Sequence, residues 1–370
     1  MIFGQSWETA VDAELARLGV GRVFVLASAG LATGGDLAER TRARLGDRLA
    51  GFMTGIGSHT PVADVIEASA RARHGSADFI LAVGGGSVID AGKMVLFCLA
   101  EGVLDAERLI EFAQPIPRPP TTKAALGLGA ISSTLSGAEF TAFAGATDSA
   151  RRVKQTYAAP FMLPEFVVLD PLVTTHTPSE LWMSTGIRAL DHAIEGFCSP
   201  GAHPLSEAAS YAAIIRLARS LPLTRAAPME PAHRLDSQCG VWLAAVSLQS
   251  GVYMGASHGI GHALGGSAGV PHGITSCVML PHVLRWNKAV NGERQDEIST
   301  ALGMPGADAG DLVAALVKSL GLPGRLRDVG VERSAFPRLA GVALEDQWTR
   351  ANPRPIASAA AIAELLDLAW

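Results

Sequence analysis

The stretch SHGIGHALGGSAGVPHG, residues 257–273, gathers three histidines. His258 and His262 stand four residues apart, so on a helix both imidazoles share one face, and His272 follows in VPHG. That spacing suits either a metal site or an acid and a positioning group beside a reactive carbon. It is not the zinc-protease pattern, because position 259 is glycine and supplies no general base. His59, His74, His176, His203 and His233 stand alone and read as core or surface groups.

A second constellation lies in the first half. Gly84-Gly85-Gly86-Ser87 directly follows the apolar run FILAV and precedes a helical stretch, Val88 to Leu99. Amides in a glycine turn can approach a pyrophosphate closely, and the helix behind it presents unsatisfied N–H groups to the same anion. Asp90 and Lys93 add charge nearby. The plain alternative is a sharp strand-to-helix bend. Another small-residue turn, Ser132-Ser133-Thr134-Leu135-Ser136-Gly137, follows a further apolar run and offers hydroxyls for phosphate or ribose, although such clusters are also ordinary solvated loops.

These residues need elements to hold them. Val23–Ala27, Phe79–Val83, Ala124–Leu128 and Phe166–Leu169 read as buried strands, and Asp36–Leu49 and Pro61–His74 between them read as helices. Such alternation builds a parallel sheet covered on both faces. After Pro171 the strand signals stop. Long Ala- and Leu-rich segments follow at Pro178–Phe197, His203–Leu221, Ala232–Leu264, Gly310–Leu320 and Ala357–Trp370. The expectation is an α/β dinucleotide-binding domain over residues 1–171 and an all-helical domain over 172–370. Pro115–Pro120 reads as a loop.

Composition bounds the function. The chain has 370 residues, of which 48% are hydrophobic and 18% charged, enough to bury large cores and to exclude disorder as the main state. A net charge of -5 with no basic face points away from nucleic acid and anionic membranes. Cys98, Cys198, Cys239 and Cys277 form no CxxC pair, which argues against a zinc ribbon or a disulfide framework and fits a reducing compartment. Cys198, Cys239, Trp182, Trp242 and Trp286 read as core or domain-contact residues. No apolar run reaches the roughly 18 residues of a membrane helix, and the N-terminus lacks a leader pattern, so a cytoplasmic location is expected.

The runs GGGSVIDAGK (Gly84–Lys93), GIRALDHAIEG (Gly186–Gly196) and SHGIGHALGGSAGVPHG followed by MLPHVLRWN resemble, in order and spacing, the iron-containing alcohol dehydrogenase family. The resemblance covers nearly the whole chain. It implies a Rossmann-like N-terminal domain, a helical C-terminal domain of dehydroquinate synthase-like type, an active site in the cleft between them, and commonly a homodimer. It also implies NADH or NADPH as cofactor, with Gly84, Gly85, Gly86, Ser87 and Asp90 at the pyrophosphate and Ser133, Thr134, Ser136 and Lys154 along the rest. After the strand VFVLA no acidic residue stands to reject a 2′-phosphate, so both dinucleotides stay open.

The family's metal ligands are an aspartate and three histidines. Here the histidines match at His192, His258 and His272, and His262 matches a neighbouring active-site histidine, but the aspartate position holds Arg188. A guanidinium cannot ligate a cation, and it repels one. Asp191 stands about 100° around the helix from His192 and is a poor substitute. The expectation is therefore no metal; if one binds, His192, His258 and His272 are its ligands.

Maleylacetate reductases of the same superfamily are similar in lacking that aspartate and in working without metal. They reduce an activated carbon–carbon double bond of a dicarboxylate, maleylacetate to 3-oxoadipate, in the breakdown of aromatic compounds. Arg188 suits such a substrate, since its fork pairs with a carboxylate. His258 or His262 would then supply the proton. Arg188 has a structural reading too, as a partner of Asp191 or Glu195. Two further functions remain open at this point: a metal-dependent dehydrogenase of alcohols, and a dinucleotide-binding sensor without turnover.

Overall fold

The computed structural model describes residues 1–33, 36–113, 124–149, 151 and 153–370; the proline-rich loop expected at 115–120 lies outside them. The chain divides into two compact units, Met1–Thr177 and Pro178–Trp370. The first unit runs past the expected boundary at residue 171 because the next residues are tied back to it. Asp170 accepts the Trp7 and Leu172 amides, each at 2.9 Å, and Thr177 Oγ1 donates to the Ser133 carbonyl at 2.7 Å.

In the first unit the chain runs β1 (Ile2–Phe3), α1 (Trp7–Leu18), β2 (Val23–Ala27), α2 (Ala29–Thr33), α3 (Leu37–Leu45), β3 (Leu49–Thr54), α4 (Val62–His74) and β4 (Phe79–Gly84). It continues with α5 (Gly86–Ala100), α6 (Ala106–Ile110), β5 (Gly127–Ser132), β6 (Phe143–Asp148), β7 (Val153–Ala158), β8 (Phe166–Leu169) and α7 (Pro171–Thr174). Six strands form one parallel sheet in the order β1-β8-β5-β4-β2-β3, and β6 and β7 form an antiparallel hairpin. Every residue of β2, β4 and β8 is buried, as uninterrupted apolar runs in a sheet covered on both faces require.

Three expectations shift here. The helix drawn over residues 36–49 stops at Leu45, because Gly46 turns out of helical geometry at φ +51°, and Leu49 opens the edge strand β3. The strand expected at 124–128 begins instead at Gly127. There the glycines make room for the Phe79 and Phe166 rings, which stack with centroids 5.7 Å apart. The β6–β7 hairpin lies in a stretch where sequence reading placed no strand.

The second unit is all helical: α8 (Ser179–Cys198), α9 (Pro204–Ala226), α10 (Pro231–Gln249), α11 (Ala256–Ala268), α12 (His272–Ala301), α13 (Ala309–Ser319), α14 (Phe336–Leu344), α15 (Gln347–Arg350) and α16 (Ala359–Leu368). The single helix expected over 232–264 is two. Gly251, at φ +83°, breaks it, and the chain re-enters helix at Ala256. That break creates a fresh helix N-terminus next to the histidines.

Candidate active site

The glycine turn sits between β4 and α5. A Cβ on Gly85 would lie 2.8 Å from Thr134 Cγ2, and one on Gly86 would lie 2.9 Å from Ser136 Oγ. The turn after β5 therefore packs against glycines that only a bare backbone can supply. The two turns are also joined by the Ser133 N–H, which donates to the Gly84 carbonyl at 2.9 Å. No side chain caps α5, and Thr134 Oγ1 is buried without a hydrogen-bond partner. Uncapped amides beside an orphan hydroxyl fit an anion such as a pyrophosphate.

Around this turn the charged residues divide in role. Lys93 is fully buried and donates to the Ala138 carbonyl, Thr141 Oγ1 and the Phe143 carbonyl at 2.5, 3.0 and 2.8 Å. Burial pushes its ammonium down to about 8. These three bonds make it a brace of the core. Asp90 Oδ2 accepts the Gly145 amide at 3.2 Å, tying α5 to β6. Lys154 is exposed on β7 and packs over Gly145. His59, passed over as an isolated histidine, sits beside the turn in left-handed backbone and donates its amide to Ser87 Oγ at 3.1 Å. Burial, and then the charge of Lys154, pushes its imidazole below the usual range.

In the second unit one face of α8 carries Arg188, Asp191, His192 and Glu195, at helical spacings of three, four and seven residues from the arginine. They are 2%, 0%, 9% and 6% exposed. Arg188 Nη1 donates to Ser276 Oγ at 3.2 Å, while its Nε has no partner. Burial lowers the guanidinium to about 10 against the charges of Asp191, Glu195 and Asp346, so it remains a cation at neutral pH. The hydrogen bond to Ser276 replaces the partnership with Asp191 or Glu195 considered from sequence, although both carboxylates act on it through their charge.

The histidines form two stacked pairs. His192 lies against His258, with centroids 4.6 Å apart, and His262 against His272 at 6.0 Å. Trp348 touches both pairs, 5.4 Å from the His258 ring and 4.8 Å from that of His262. His258 is fully buried. Its Nδ1 lies 2.7 Å from Glu195 Oε2, and its Nε2 has no partner. Burial, and then the charge of Arg188, holds both His192 and His258 well below the usual histidine range, so both are neutral. His262 keeps 36% of its side chain exposed, and its Nδ1 lies 2.8 Å from Asp346 Oδ2. Burial alone would raise Asp346, but the hydrogen bond and charge of His262 outweigh it and hold the carboxyl low.

Residues 1–171 match the family described as "Iron-containing alcohol dehydrogenase", and residues 182–370 match "Fe-containing alcohol dehydrogenase family, C-terminal". The chain belongs to the iron-containing alcohol dehydrogenase family. It is 30% identical to maleylacetate reductase 1 of Cupriavidus pinatubonensis over 359 residues, covering 97% of this chain and 91% of that one. It is likewise 30% identical to the lactaldehyde reductase of Escherichia coli K12 over 379 aligned positions, covering 100% and 97%. The crystal structure of maleylacetate reductase from Agrobacterium tumefaciens superposes with a TM-score of 0.83 at 28% identity, over 100% of this chain and 95% of that one. The chain is thus an NAD(P)-dependent oxidoreductase, which sets aside the reading as a sensor.

The metal that gives this family its name meets an altered donor set here. Arg188 stands where the resemblance places the aspartate ligand, and it is a buried cation within the cluster. Of the three histidines that the resemblance places on a metal, His192 stacks on His258 and His272 stacks on His262. Among the described residues, the donor atoms that lie within 4.8 Å of one another belong to Asp191, Glu195 and His258. This trio is only partly in use, since Asp191 Oδ1 and His258 Nε2 have no hydrogen-bond partner. Asp191 Oδ2 accepts the Ser257 hydroxyl at 2.7 Å, and both Glu195 oxygens accept backbone amides. What opposes a divalent cation here is the fixed positive charge of Arg188 beside these donors.

Proposed function

We propose that this enzyme is a metal-independent reductase of an anionic, conjugated carbonyl compound, of which maleylacetate, reduced to 3-oxoadipate, is the type. The observation that carries this reading is Arg188: a buried guanidinium, charged at neutral pH, with one N–H left unpaired in the middle of the histidine cluster. A buried donor without an acceptor is costly unless a ligand supplies one, and a carboxylate is the acceptor a guanidinium matches best.

NADH or NADPH, when bound, supplies the hydride. This chain's own residues do the rest. Arg188 binds a substrate carboxylate and holds the adjoining double bond electron-poor. Hydride adds to one carbon of that bond, and the neighbouring carbon must then take a proton. Of the two histidines considered for that step, His258 is wholly enclosed and neutral, whereas His262 is partly exposed and held by Asp346, as an acid backed by a carboxylate is held. His262 is therefore the proton donor, with Asp346 orienting it. His192 and His272 stack against the two and restrict their rotation. On the dinucleotide, the amides of Gly84, Gly85, Gly86 and Ser87 meet the pyrophosphate, and Thr134, Ser136 and Lys154 serve the remainder, with Ser133 joining the two turns and Asp90 tying α5 to β6. A homodimer of this chain is the assembly we expect.

The second reading, an alcohol dehydrogenase, draws support from the equal likeness to lactaldehyde reductase. NADH and NADPH oxidation with maleylacetate and with lactaldehyde separates the two. Efficient turnover of the dicarboxylate and negligible turnover of the neutral aldehyde is the expected result; the reverse overturns the proposal.

A further inference from the structure

The run SHGIGH in the first turns of α11 carries a glycine on each side of its histidine stripe. At about 100° per residue, His258 and His262 line up along the helix, and Gly259 and Gly261 lie about 80° to either side of them. Each glycine admits a different neighbour. A Cβ on Gly259 would lie 2.7 Å from the Thr349 amide nitrogen, so α15 packs directly on that flank. A Cβ on Gly261 would lie 2.9 Å from Thr275 Oγ1 and 3.3 Å from Arg188 Nη1, so the guanidinium closes in on the other flank. The stripe is therefore walled by a cation on one side and by α15 on the other.

The side chain that α15 brings to this wall is Trp348, whose ring meets those of both His262 and His258, with centroids 4.8 and 5.4 Å apart. Asp346 sets its place. Asp346 Oδ1 accepts the Trp348 amide at 2.8 Å, while Oδ2 lies 2.8 Å from His262 Nδ1, so one carboxylate fixes the start of α15 and the imidazole beside it. Of the rings gathered here, those of His262, His272 and Trp348 belong to residues that keep part of their surface open. A partly open indole across the stripe from a buried cation offers a flat apolar surface to whatever that cation holds.

We propose that Trp348 is a specificity-determining residue of this site: its indole is the wall across from Arg188, and it lies against the flat, conjugated part of a substrate whose carboxylate Arg188 holds. The inference rests on the reading of Arg188 as the carboxylate-binding group. An unsaturated acid conjugated through its double bond is planar and presents a π-face that an indole can stack on; the saturated acid of the same length is puckered and presents none. The arginine thus selects for charge and the tryptophan for unsaturation.

Maleate and succinate, which differ only in the central double bond, are the probes, titrated calorimetrically into the full chain with saturating NAD+ and, separately, NADP+. The wild-type protein should bind maleate the more tightly. In Trp348→Leu the maleate-to-succinate affinity ratio should fall by about three- to tenfold, the order of one aromatic stacking contact, through weaker maleate binding, while Trp348→Phe keeps most of it. Maleate should also quench the wild-type tryptophan fluorescence, and that quench should vanish in Trp348→Phe, which a purely packing role for Trp348 would not produce. Equal wild-type affinity for the two acids, or an unchanged ratio in Trp348→Leu, overturns this inference and leaves the reading of Arg188 standing. Binding of neither acid overturns that reading and this inference with it. Should Trp348→Leu not fold, Trp348→Phe decides: a quench that persists there overturns the proposal.

Discussion

The glycine turn of the first unit and the histidine cluster of the second bind by opposite means. At the turn, function comes from what is missing: side chains absent at Gly85 and Gly86, caps absent from α5, and an orphan hydroxyl on Thr134. In the cluster, function comes from what is crowded in: a cation, two carboxylates and two neutral imidazoles, all at most 9% exposed. A site made of bare backbone tolerates drift among its neighbours and keeps its ligand. A site made of mutually dependent charges changes chemistry when one member changes sign, as at Arg188.

Arg188→Gln is the sharpest way to break this comparison. It should reduce kcat/KM for the dicarboxylate by about 100-fold, the order expected for losing charge-assisted hydrogen bonds to a carboxylate, while dinucleotide affinity measured by cofactor fluorescence stays put. Equal losses in both would tie the two regions together. Gly85→Val is the converse. Its branched side chain must displace Thr134, and dinucleotide affinity should fall by about tenfold or more, with the NMR signals of the second unit's histidines unmoved.

Asp346→Asn should lower turnover by about tenfold by releasing His262 from its acceptor. Its effect on stability has a definite pH sense. Asp346 is held below its ordinary value of 3.8 in the folded chain, so its contribution is complete above that value and is lost as pH falls through the folded value. The stability deficit of Asp346→Asn relative to wild type, followed by thermal unfolding, should therefore narrow on acidification below about pH 4. Lys93→Met should touch catalysis least. It removes three hydrogen bonds from the core and should cost about 1–3 kcal/mol in a denaturant titration, with cofactor affinity unchanged. A loss of cofactor affinity instead would give Lys93 a part in holding the dinucleotide.

The same contrast explains what could be read from the chain alone. The glycine turn was legible because its parts are neighbours in sequence, and β2, β4 and β8 because wholly buried strands are continuous apolar runs. The edge strand β3 was not, since only Met53 of its six residues is buried and Gly51 interrupts the apolar pattern. The histidines and Arg188 were visible by type and spacing. Their partners were not: Asp346, Trp348 and Asn352 reach the cluster from the far end of the chain, 84 to 96 residues from the groups they hold. Glu195 was noticed as a neighbour of Arg188 on one helix face, but its hold on α11 depends on the break at Gly251, which apolar periodicity had smoothed over.

The central claim is that a fixed guanidinium has replaced the metal. It is tested most directly by elemental analysis of the purified enzyme together with maleylacetate reduction before and after exhaustive chelation. The account predicts metal far below one ion per chain and a rate that chelation does not change. Iron or zinc near one per chain, with activity lost on chelation and restored by the ion, would contradict it.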